Sequence, residues 1–521
     1  MNIAEALRNS ARREPGRPAI VFEGSAISYA DLDQQVDRAA AALRSLGVTS
    51  GDRVALVLPN VPSFAIGYFA TLRLGAIAVS MSVALTAREL AILIEDSDPV
   101  VALTVDELLP TILAATPADR VVTWDTNDKG VRSLADMGVA APTDVPDVEL
   151  DRDSPAAILY TSGTTGRQKG AVLTHGNVVF NSAATAGALS IVPEDRLMLF
   201  LPLFHCFGQN FILNTAISVG ASVVLHRRFD PDRVLASIRQ DGVTMFFGVP
   251  TVYIVMLARQ VAPHDLAGVR YWFSAAATMP TEVAERWREI YGQPIHEGYG
   301  LTETSPFASY NHRSEYRPGS VGTALDDVEV GVVDTDDRAV ATGTWGEVVI
   351  AGPNVMAGYW NRPEDSATAL RNGRFHTGDI GYLDEDGYLY LVDRVKDMIN
   401  AAGLKIWPRE IEEILYAHPL VRECAVVGLP DPVRGEAPCA FVVASSNTTI
   451  DPDRLVGELE QRCREQLATY KHPRSWAVVA ELPKSPTGKI LKRVLRDEWA
   501  SRTPVSTALQ TPTPTHDRTS P

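Results

Sequence analysis

Residues 160–170 read Tyr-Thr-Ser-Gly-Thr-Thr-Gly-Arg-Gln-Lys-Gly, directly after the apolar run Ala156 to Leu159. A short apolar run of this kind is typical of a buried strand. The loop that follows alternates hydroxyl side chains with glycines and ends in Lys169-Gly170, so it can present N–H groups, hydroxyls and one ammonium to a polyanion. Glycine permits the close backbone approach that a bulkier residue would block. The sequence therefore predicts a strand followed by a phosphate-binding loop.

The loop alone leaves the phosphate chemistry open. It differs from the phosphate loop of kinases and NTPases, because Lys169 is followed by Gly170 rather than by Ser or Thr. A flexible surface loop is the other interpretation, but so many hydroxyls and glycines directly after a strand are unusual for one. Motifs further along the chain have to decide between these readings.

Composition sets the broad class of protein. The chain has 521 residues, too many for one compact core, so two or more domains are expected. Its 45% hydrophobic and 21% charged content is that of a soluble globular protein. The formal net charge of −16 argues against non-specific binding to nucleic acid or to an anionic membrane.

Targeting and membrane signals are weak. Met1 to Glu14 mixes charged and apolar residues, which predicts an amphipathic helix rather than a signal peptide. The most apolar region, Val54 to Ile94, is interrupted by prolines and arginines, so no membrane span is predicted. The four cysteines lack metal-type spacing, which favours buried thiols in a reducing compartment. We therefore expect a cytoplasmic protein.

The order of predicted elements favours an α/β fold. Helical and strand patterns alternate from about residue 28 to residue 247, which predicts parallel sheets covered by helices on both faces. Thr86 and Glu89 form a predicted capping box at the start of one helix. Near residue 320, short strands predict a smaller β subdomain. After Asp393, mixed helices and strands predict a compact α+β domain of about 100 residues. The tail 506–521, rich in Thr, Pro and Ser, is expected to be disordered.

A second motif, residues 297–304, reads Glu-Gly-Tyr-Gly-Leu-Thr-Glu-Thr. Tyr299, between two glycines, can stack on a planar base or wall a pocket. Thr302 can bond a phosphate oxygen, and Glu303 can hold Mg²⁺, a hard cation that prefers carboxylate and phosphate oxygens. On its own this segment would be interpreted as a turn with an incidental helix cap.

Two further motifs carry charged side chains. Residues 375–379 read Phe-His-Thr-Gly-Asp, and Asp379 can accept both hydroxyls of a ribose. Arg394, in the run 393–397, can add hydrogen bonds to a sugar or a phosphate. Residues 483–490 read Pro-Lys-Ser-Pro-Thr-Gly-Lys-Ile and place Lys489 just before a predicted helix. A lone lysine is most often solvated, but its position after Thr-Gly favours presentation into a site.

Together the four motifs resemble, in order and spacing, those of the adenylate-forming superfamily: acyl- and aryl-CoA synthetases, peptide-synthetase adenylation domains and firefly-type luciferases. The resemblance covers about residues 10–497 and is strongest to fatty acyl-CoA synthetases, including relatives that load acyl carrier proteins. It implies that a fatty acid reacts with ATP and Mg²⁺ to give an acyl-adenylate and pyrophosphate. The thiol of CoA or of a carrier protein's phosphopantetheine then displaces AMP.

The resemblance also implies roles for individual residues. Lys489 would stabilise the transition state of the first step, and Thr302 and Glu303 would contact the α-phosphate and Mg²⁺. Tyr299 and Ala275 match the adenine side, although Ala275 lies in an alanine-rich segment where the family is rich in glycine. Asp379 and Arg394 match the ribose contacts. The remaining matches would hold the β- and γ-phosphates: Thr161, Ser162, Gly163, Thr164, Thr165 and Lys169, with Gln168 in place of the usual proline.

Two half-reactions at one site imply a movable C-terminal domain. In the family this domain rotates about a residue two positions after the arginine, which is Lys396 here, and the rotation exchanges Lys489 for a segment in which Gly403 would line the thiol tunnel. The expected organisation is an adenylation core of 1–393, a hinge of 394–397 and a mobile domain of 398–505.

The composition of the predicted acid pocket argues against an α-amino acid as substrate. Residues 201–229 contain no acidic side chain, so a substrate ammonium would lack its counter-charge. His205 matches a gating or carboxylate-facing position in relatives, and a structural histidine is the alternative. The expected pocket residues suit an alkyl or alkenyl chain: Phe204, Phe207, Phe211, Ile212, Val249, Met279 and Gly300.

Several readings stay open at this point. Within the family, an aryl acid is the alternative to a fatty acid, and the thiol acceptor is either CoA or a carrier protein. A phosphotransferase or NTPase is disfavoured by the missing Gly-Lys-[Ser/Thr] ending. A non-catalytic binding module is disfavoured because Lys169, Glu303 and Lys489 are all retained. The oligomeric state is not predicted.

Overall fold

The computed structural model describes residues 1–125, 130–139, 145–162, 168–312, 315–445 and 451–500. Residues 163–167 of the predicted phosphate loop, which include Gly163, Thr164 and Thr165, lie outside the described residues, as do the side chain of Ser162 and the tail 506–521. The chain forms a large N-terminal domain built on two parallel-rich sheets, a small antiparallel sheet and a C-terminal α+β domain. The predicted α/β fold class is confirmed.

The first large sheet carries the phosphate loop. Five of its neighbouring strand pairs are parallel, and the two pairs at one edge are antiparallel. Its eight strands lie in the spatial order Gly358–Tyr359, Gln168–Thr174, Pro155–Ser162, Ile77–Ser80, Arg53–Leu56, Val101–Thr104, Val121–Thr123 and Arg132–Ser133.

The second large sheet carries the predicted adenine-side residues. Its five parallel pairs are flanked by antiparallel pairs at both edges. Its nine strands lie in the spatial order Thr323–Ala324, Phe307–Tyr310, Ile295–Gly300, Tyr271–Ser274, Met245–Gly248, Arg196–Leu199, Ser222–Leu225, Pro18–Phe22 and Ser25–Ser28. One apolar core contains side chains from both large sheets.

The two smaller sheets follow along the chain. The antiparallel sheet has four strands in the order Glu329–Val333, Gly346–Ala351, Phe375–Leu383 and Leu389–Arg394. The C-terminal sheet orders Leu404–Ile406, Ile399–Ala401, Gly435–Ala444 and Val421–Asp431, and Ser475–Val478 pairs with Gly435–Ala444. Two separate apolar clusters form the core of the C-terminal domain.

Helices cover the sheets close to where the hydrophobic periodicity predicts them. The Thr86 capping box is present, since Glu89 N–H donates to Thr86 Oγ1 and Thr86 N–H donates to Glu89 Oε2. No described helix is long and apolar enough to cross a membrane. The α-helices are Ala4–Arg13, Tyr29–Ser45, Pro62–Arg73, Ala87–Ser97, Leu109–Leu113, Leu134–Val139, His175–Ala188, Thr215–Val219, Pro231–Gln240, Pro250–Ala258, Thr281–Tyr291, Pro363–Ala369, Pro408–Tyr416, Pro452–Gln466 and Lys492–Ala500, and Phe207–Asn214 is a π-helix.

A buried cation fixes the packing of the N-terminal helices. The Arg73 side chain is fully buried and contacts three carboxylates, Asp33 at 2.5 Å, Asp37 at 2.6 Å and Asp147 at 2.8 Å. Arg8 reaches Asp37 and Asp147 at 3.1 and 3.0 Å, so the first helix joins the same cluster. Removing one partner from a buried charge cluster leaves the others uncompensated, which costs about 3–5 kcal/mol.

We expect Arg73→Leu to lower the urea unfolding midpoint of the N-terminal domain by the equivalent of about 3 kcal/mol, because the carboxylates lose their counter-charge. The matched control is Arg120→Leu, since Arg120 pairs with Asp98 at 2.8 Å on the surface. That exposed pair should contribute less than about 1 kcal/mol. Unfolding is followed by tryptophan fluorescence. Equal shifts of the urea midpoint in the two variants would contradict the role assigned to burial.

Candidate active site

The predicted phosphate loop connects two antiparallel strands. Thr161, near the end of Pro155–Ser162, lies opposite Lys169 on Gln168–Thr174. The Thr161 hydroxyl lies 3.5 Å from Oε1 of Glu303, which belongs to the second predicted motif. The fold thus brings the first and second motifs together, although they are more than a hundred residues apart in the chain.

Glu303 is a buried carboxylate at the centre of this contact. It lies in a single helical turn, Thr302–Thr304, and its Oε1 accepts a 2.9 Å hydrogen bond from the Tyr359 hydroxyl. Burial raises the pKa of Glu303 above its ordinary value, so a cation at this position would stabilise the ionised form. Among the described residues, no group of three or more His, Cys, Asp or Glu side chains could hold a metal ion. One carboxylate fits Mg²⁺ that is held mainly by phosphate oxygens, which is the usual arrangement for this ion.

Lys169 is already paired in this structure. Its Nζ lies 2.6 Å from Asp365 Oδ1 and 5.2 Å from the centroid of the Tyr359 ring. The Lys169 side chain is 14% exposed, so its ammonium is largely shielded from solvent. The lysine lies where the sequence predicts it, but Asp365 and Tyr359 are partners that the sequence analysis did not identify.

Asp379 joins two of the predicted nucleoside contacts. The Tyr299 hydroxyl donates to Asp379 Oδ2 at 2.7 Å, and Arg394 Nε lies 2.8 Å from Asp379 Oδ1. Asp379 and Arg394 face each other on neighbouring antiparallel strands, which explains why two separate motifs meet. Burial, followed by the charge of Asp379, raises the pKa of Tyr299 well above its usual range, so the phenol stays a neutral hydrogen-bond donor.

Ala275 lies at the same sheet edge as Tyr299. It follows the strand Tyr271–Ser274, which pairs in parallel with Ile295–Gly300. The carboxyl ends of parallel strands meet at one edge, where open α/β sheets bind their ligands. The neighbouring Ala276 has φ +70°, a left-handed conformation that is uncommon for alanine and takes the place of a glycine turn.

A tight turn presents Lys489. Ser485 N–H donates to Lys489 O at 2.8 Å, Gly488 N–H donates to Ser485 O at 2.8 Å, and Lys489 N–H donates to Ser485 Oγ at 3.1 Å. Gly488 has φ +85°, and a Cβ there would lie 3.0 Å from both Val249 Cγ2 and Thr251 Oγ1 of the N-terminal domain. Only glycine fits both the turn and this close contact between the domains.

Lys489 differs from the lysines on either side of it. Lys484 pairs with Glu423 at 2.8 Å and Lys492 pairs with Glu412 at 2.8 Å. For Lys489, no described carboxylate lies within ion-pair distance, and the Arg394 guanidinium, burial and Lys396 lower its pKa to about 8. The turn therefore places beside Arg394 a cation that has no ion-pair partner among the described residues.

His205 faces this cation. Burial and the charge of Lys489 lower the pKa of His205 to about 4, so the imidazole is neutral at pH 7. Its Nδ1 accepts from Phe207 N–H at 3.2 Å. The next residue, Cys206, is buried, and its Sγ lies 3.3 Å from the Thr302 hydroxyl. Lys489 therefore acts on His205, and the neighbouring Cys206 contacts Thr302, which the sequence analysis did not identify.

The predicted acid-pocket residues form an aromatic cluster. Phe207 and Phe211 are buried on the π-helix Phe207–Asn214 with ring centroids 5.1 Å apart, and Phe211 stacks on Phe273 at 5.1 Å. Phe204 is half-buried beside them in the chain, and Val249 is buried. The same helix also buries the amides of Gln209, Asn210 and Asn214, which the sequence analysis did not single out.

Gly300 has a packing role that the sequence did not predict. A Cβ at Gly300 would lie 1.6 Å from the carbonyl oxygen of Pro306, so any other residue would clash with the backbone. Gly300 thereby allows the chain to turn back from Ile295–Gly300 into Phe307–Tyr310.

The predicted tunnel and hinge residues are both exposed, and the charge of the hinge residue Lys396 acts on Lys489. Gly403, with φ +85°, is exposed in the turn between Ile399–Ala401 and Leu404–Ile406, and no atom lies within 4 Å of a Cβ built there. Lys396 is exposed in the single turn Val395–Asp397 that follows Arg394. In this arrangement Lys489, and not Gly403, is directed at the site.

Sequence comparisons with known proteins match most of the chain to one enzyme family. The family model described as AMP-binding enzyme matches residues 7–360, and the model for the AMP-binding enzyme C-terminal domain matches residues 410–489. A feruloyl-CoA synthase from Amycolatopsis sp. is 37% identical over 93% of this chain and 96% of its own length. A long-chain-fatty-acid–CoA ligase from Bacillus subtilis is 34% identical over 94% of this chain and 93% of its own length.

Solved structures of related proteins superpose on this chain over nearly its whole length. ATP-bound MatB from Rhodopseudomonas palustris is 32% identical, covers 96% of this chain and 99% of its own, and superposes with a TM-score of 0.89. The apo form of the same protein, with the same coverage and identity, gives 0.77. This structure thus superposes better on the ATP-bound form than on the apo form. From its sequence matches, its fold and the meeting of its four motifs, the chain belongs to the AMP-binding enzyme family of adenylate-forming enzymes.

Proposed function

We propose that this chain is an AMP-forming ligase that joins a fatty acid to the thiol of CoA through an acyl-adenylate. Its family and its relatives support an acid–CoA ligase activity that uses ATP and CoA. The observation that carries the proposal is the placement of Lys489, an ammonium without a carboxylate partner among the described residues, next to Arg394 and His205. Such a cation suits a step in which two anions, a carboxylate and a phosphate, must approach each other.

The first step needs charge stabilisation more than proton transfer. Lys489 would contact both the acid carboxylate and the α-phosphate and stabilise the charge that develops between them. Asp379 would accept the ribose hydroxyls, with its orientation fixed by Tyr299 and Arg394. Glu303 would hold Mg²⁺, which neutralises phosphate charge when bound. Since His205 is neutral, it can approach the acid carboxylate without carrying a second positive charge.

The pocket composition supports an apolar acid. Phe207, Phe211 and Val249 are buried apolar side chains of the predicted pocket, and residues 201–229 carry no acidic side chain. An arylpropenoic acid is the second candidate, because rings packed edge-to-face can also hold a planar ring and a feruloyl-CoA synthase is among the relatives. We favour CoA as acceptor over a carrier protein, because the relatives include a feruloyl-CoA synthase and a long-chain-fatty-acid–CoA ligase.

Product analysis tests the proposal. The enzyme is incubated with Mg·ATP, CoA or a carrier protein, and matched panels of fatty and arylpropenoic acids, and the products are identified by mass spectrometry. We expect AMP, pyrophosphate and acyl-CoA, with the fatty acids turned over fastest. Release of ADP would exclude the ligase mechanism. Faster turnover of arylpropenoic acids would favour the second candidate, and thioester on the carrier alone would reject CoA.

Rotation of the C-terminal domain generates a testable prediction at Lys396. Proline at this position restricts φ and so should block the second arrangement. We expect Lys396→Pro to retain pyrophosphate release but to slow thioester formation by more than about tenfold, which corresponds to about 1.4 kcal/mol in the barrier.

Lys396→Ala is the matched control for that prediction, because it removes the charge and keeps the backbone freedom. It should retain both half-reactions, measured separately by pyrophosphate release and by thiolysis of supplied acyl-adenylate. Equal loss of both half-reactions in Lys396→Pro would reject the hinge assignment.

The lowered pKa of Lys489 predicts the alkaline limit of adenylation. Since the protonated form is the active one and the pKa is about 8, kcat/KM for pyrophosphate release should fall as pH rises through about 8. In Lys489→Arg the side chain stays protonated, so the alkaline fall in kcat/KM should move to higher pH. If kcat/KM of this variant falls at the same pH as in the wild type, the titrating group is a residue other than Lys489.

A further inference from the structure

A covering segment, residues 356–366, lies against the strand that leaves the phosphate loop. Its strand Gly358–Tyr359 pairs with Gln168–Thr174. Trp360 N–H donates to Gly170 O at 2.7 Å, next to Lys169, and Met356 N–H donates to Glu303 O at 2.8 Å. The covering segment therefore fixes the backbone of Lys169 relative to that of Glu303.

Two side chains of the covering segment bond the functional groups themselves. The Tyr359 hydroxyl donates to Glu303 at 2.9 Å, and the Tyr359 ring lies under the Lys169 ammonium. Asp365 completes the set with its 2.6 Å ion pair to Lys169. No described carboxylate other than Asp365 lies within ion-pair distance of Lys169.

We propose that Asp365 is the resting counter-ion of Lys169, which the terminal phosphates of ATP must replace, and that it thereby lowers the affinity for Mg·ATP. This inference rests on the proposed function, because it takes Mg·ATP as the ligand. The Asp365 carboxylate and a phosphate oxygen are both anionic acceptors that compete for the same ammonium. While Lys169 is paired, its ammonium stays above Tyr359, and once it is released, Asp365 is a negative charge beside the phosphates. Both effects oppose binding of Mg·ATP. Asp365 is therefore a positioning residue that raises the dissociation constant for Mg·ATP.

The test is the dissociation constant for Mg·ATP, measured by calorimetry without acid or CoA. Asp365→Asn should lower this constant by about two- to fivefold, the scale of a partly exposed ion pair. Asp365→Glu restores a carboxylate and should return the constant towards that of the wild type. The matched control is Glu364→Gln, which removes one negative charge from the same helix, Pro363–Ala369, at an exposed position. It should leave the constant unchanged.

A double-mutant cycle separates the ion pair from a general change in charge. Lys169→Gln alone should weaken binding, and in that background Asp365→Asn should have a smaller effect than in the wild type. Thermal melting of each variant checks that it folds, and Asp365→Ser is a second charge-removing variant. Weaker binding in both Asp365→Asn and Asp365→Ser, or an equal gain with Glu364→Gln, would overturn the proposal.

The same data distinguish failure of this inference from failure of the proposed function. If the wild type binds Mg·ATP and releases pyrophosphate while the Asp365 variants bind ATP like the wild type, only the counter-ion role is rejected. If the wild type does not bind Mg·ATP, both proposals are rejected. In steady-state assays Asp365→Asn should lower KM for ATP and leave KM for the acid unchanged.

Discussion

The Asp379 carboxylate makes the interaction on which the rest of the site depends. It accepts from Tyr299 at 2.7 Å and pairs with Arg394 at 2.8 Å, so one side chain joins the second large sheet to the last strand before the C-terminal domain. Arg394 is in turn the strongest influence on the pKa of Lys489. The position of the predicted ribose contact and the charge state of Lys489, the proposed reacting lysine, are therefore coupled through one ion pair.

The site gathers positive charge before its reactants arrive. Arg394 and Lys396 lie close enough to Lys489 to lower its pKa, and Asp379 and Asp397 only partly compensate. Holding cations together in this way has a cost in the free enzyme. It is offset when anionic phosphates and a carboxylate bind, because preorganised charge then needs no further rearrangement. Lys169, in contrast, forms an ion pair with Asp365. One lysine of the proposed site therefore has a carboxylate partner, and the other, Lys489, has none among the described residues.

The sequence could predict those parts of the fold and of the site that short motifs and capping signals carry. Period and capping signals predicted the helix that begins after Thr86, and the motif residues Tyr299, Asp379 and Arg394 do meet. The pairing of Lys169 with Asp365 could not be predicted, because 196 residues separate them and an aspartate near a helix start is ordinary. The close approach of Pro306 O to Gly300 could not be predicted either, although the two residues are close in the chain, because it depends on how two strands pack. The functional roles of all the predicted site residues stay predictions, and Gly163, Thr164 and Thr165 lie outside the described residues.

The central claim is that Lys489 serves acyl-adenylate formation and not thiolysis. The most direct measurement compares two rates in Lys489→Ala: acyl-adenylate formation from acid and ATP, and thioester formation from supplied acyl-adenylate and CoA. Loss of a preorganised charge predicts a fall of about 10²–10³-fold in the first rate, with the second rate close to that of the wild type. An unchanged first rate, or an equal fall in both rates, would contradict the account.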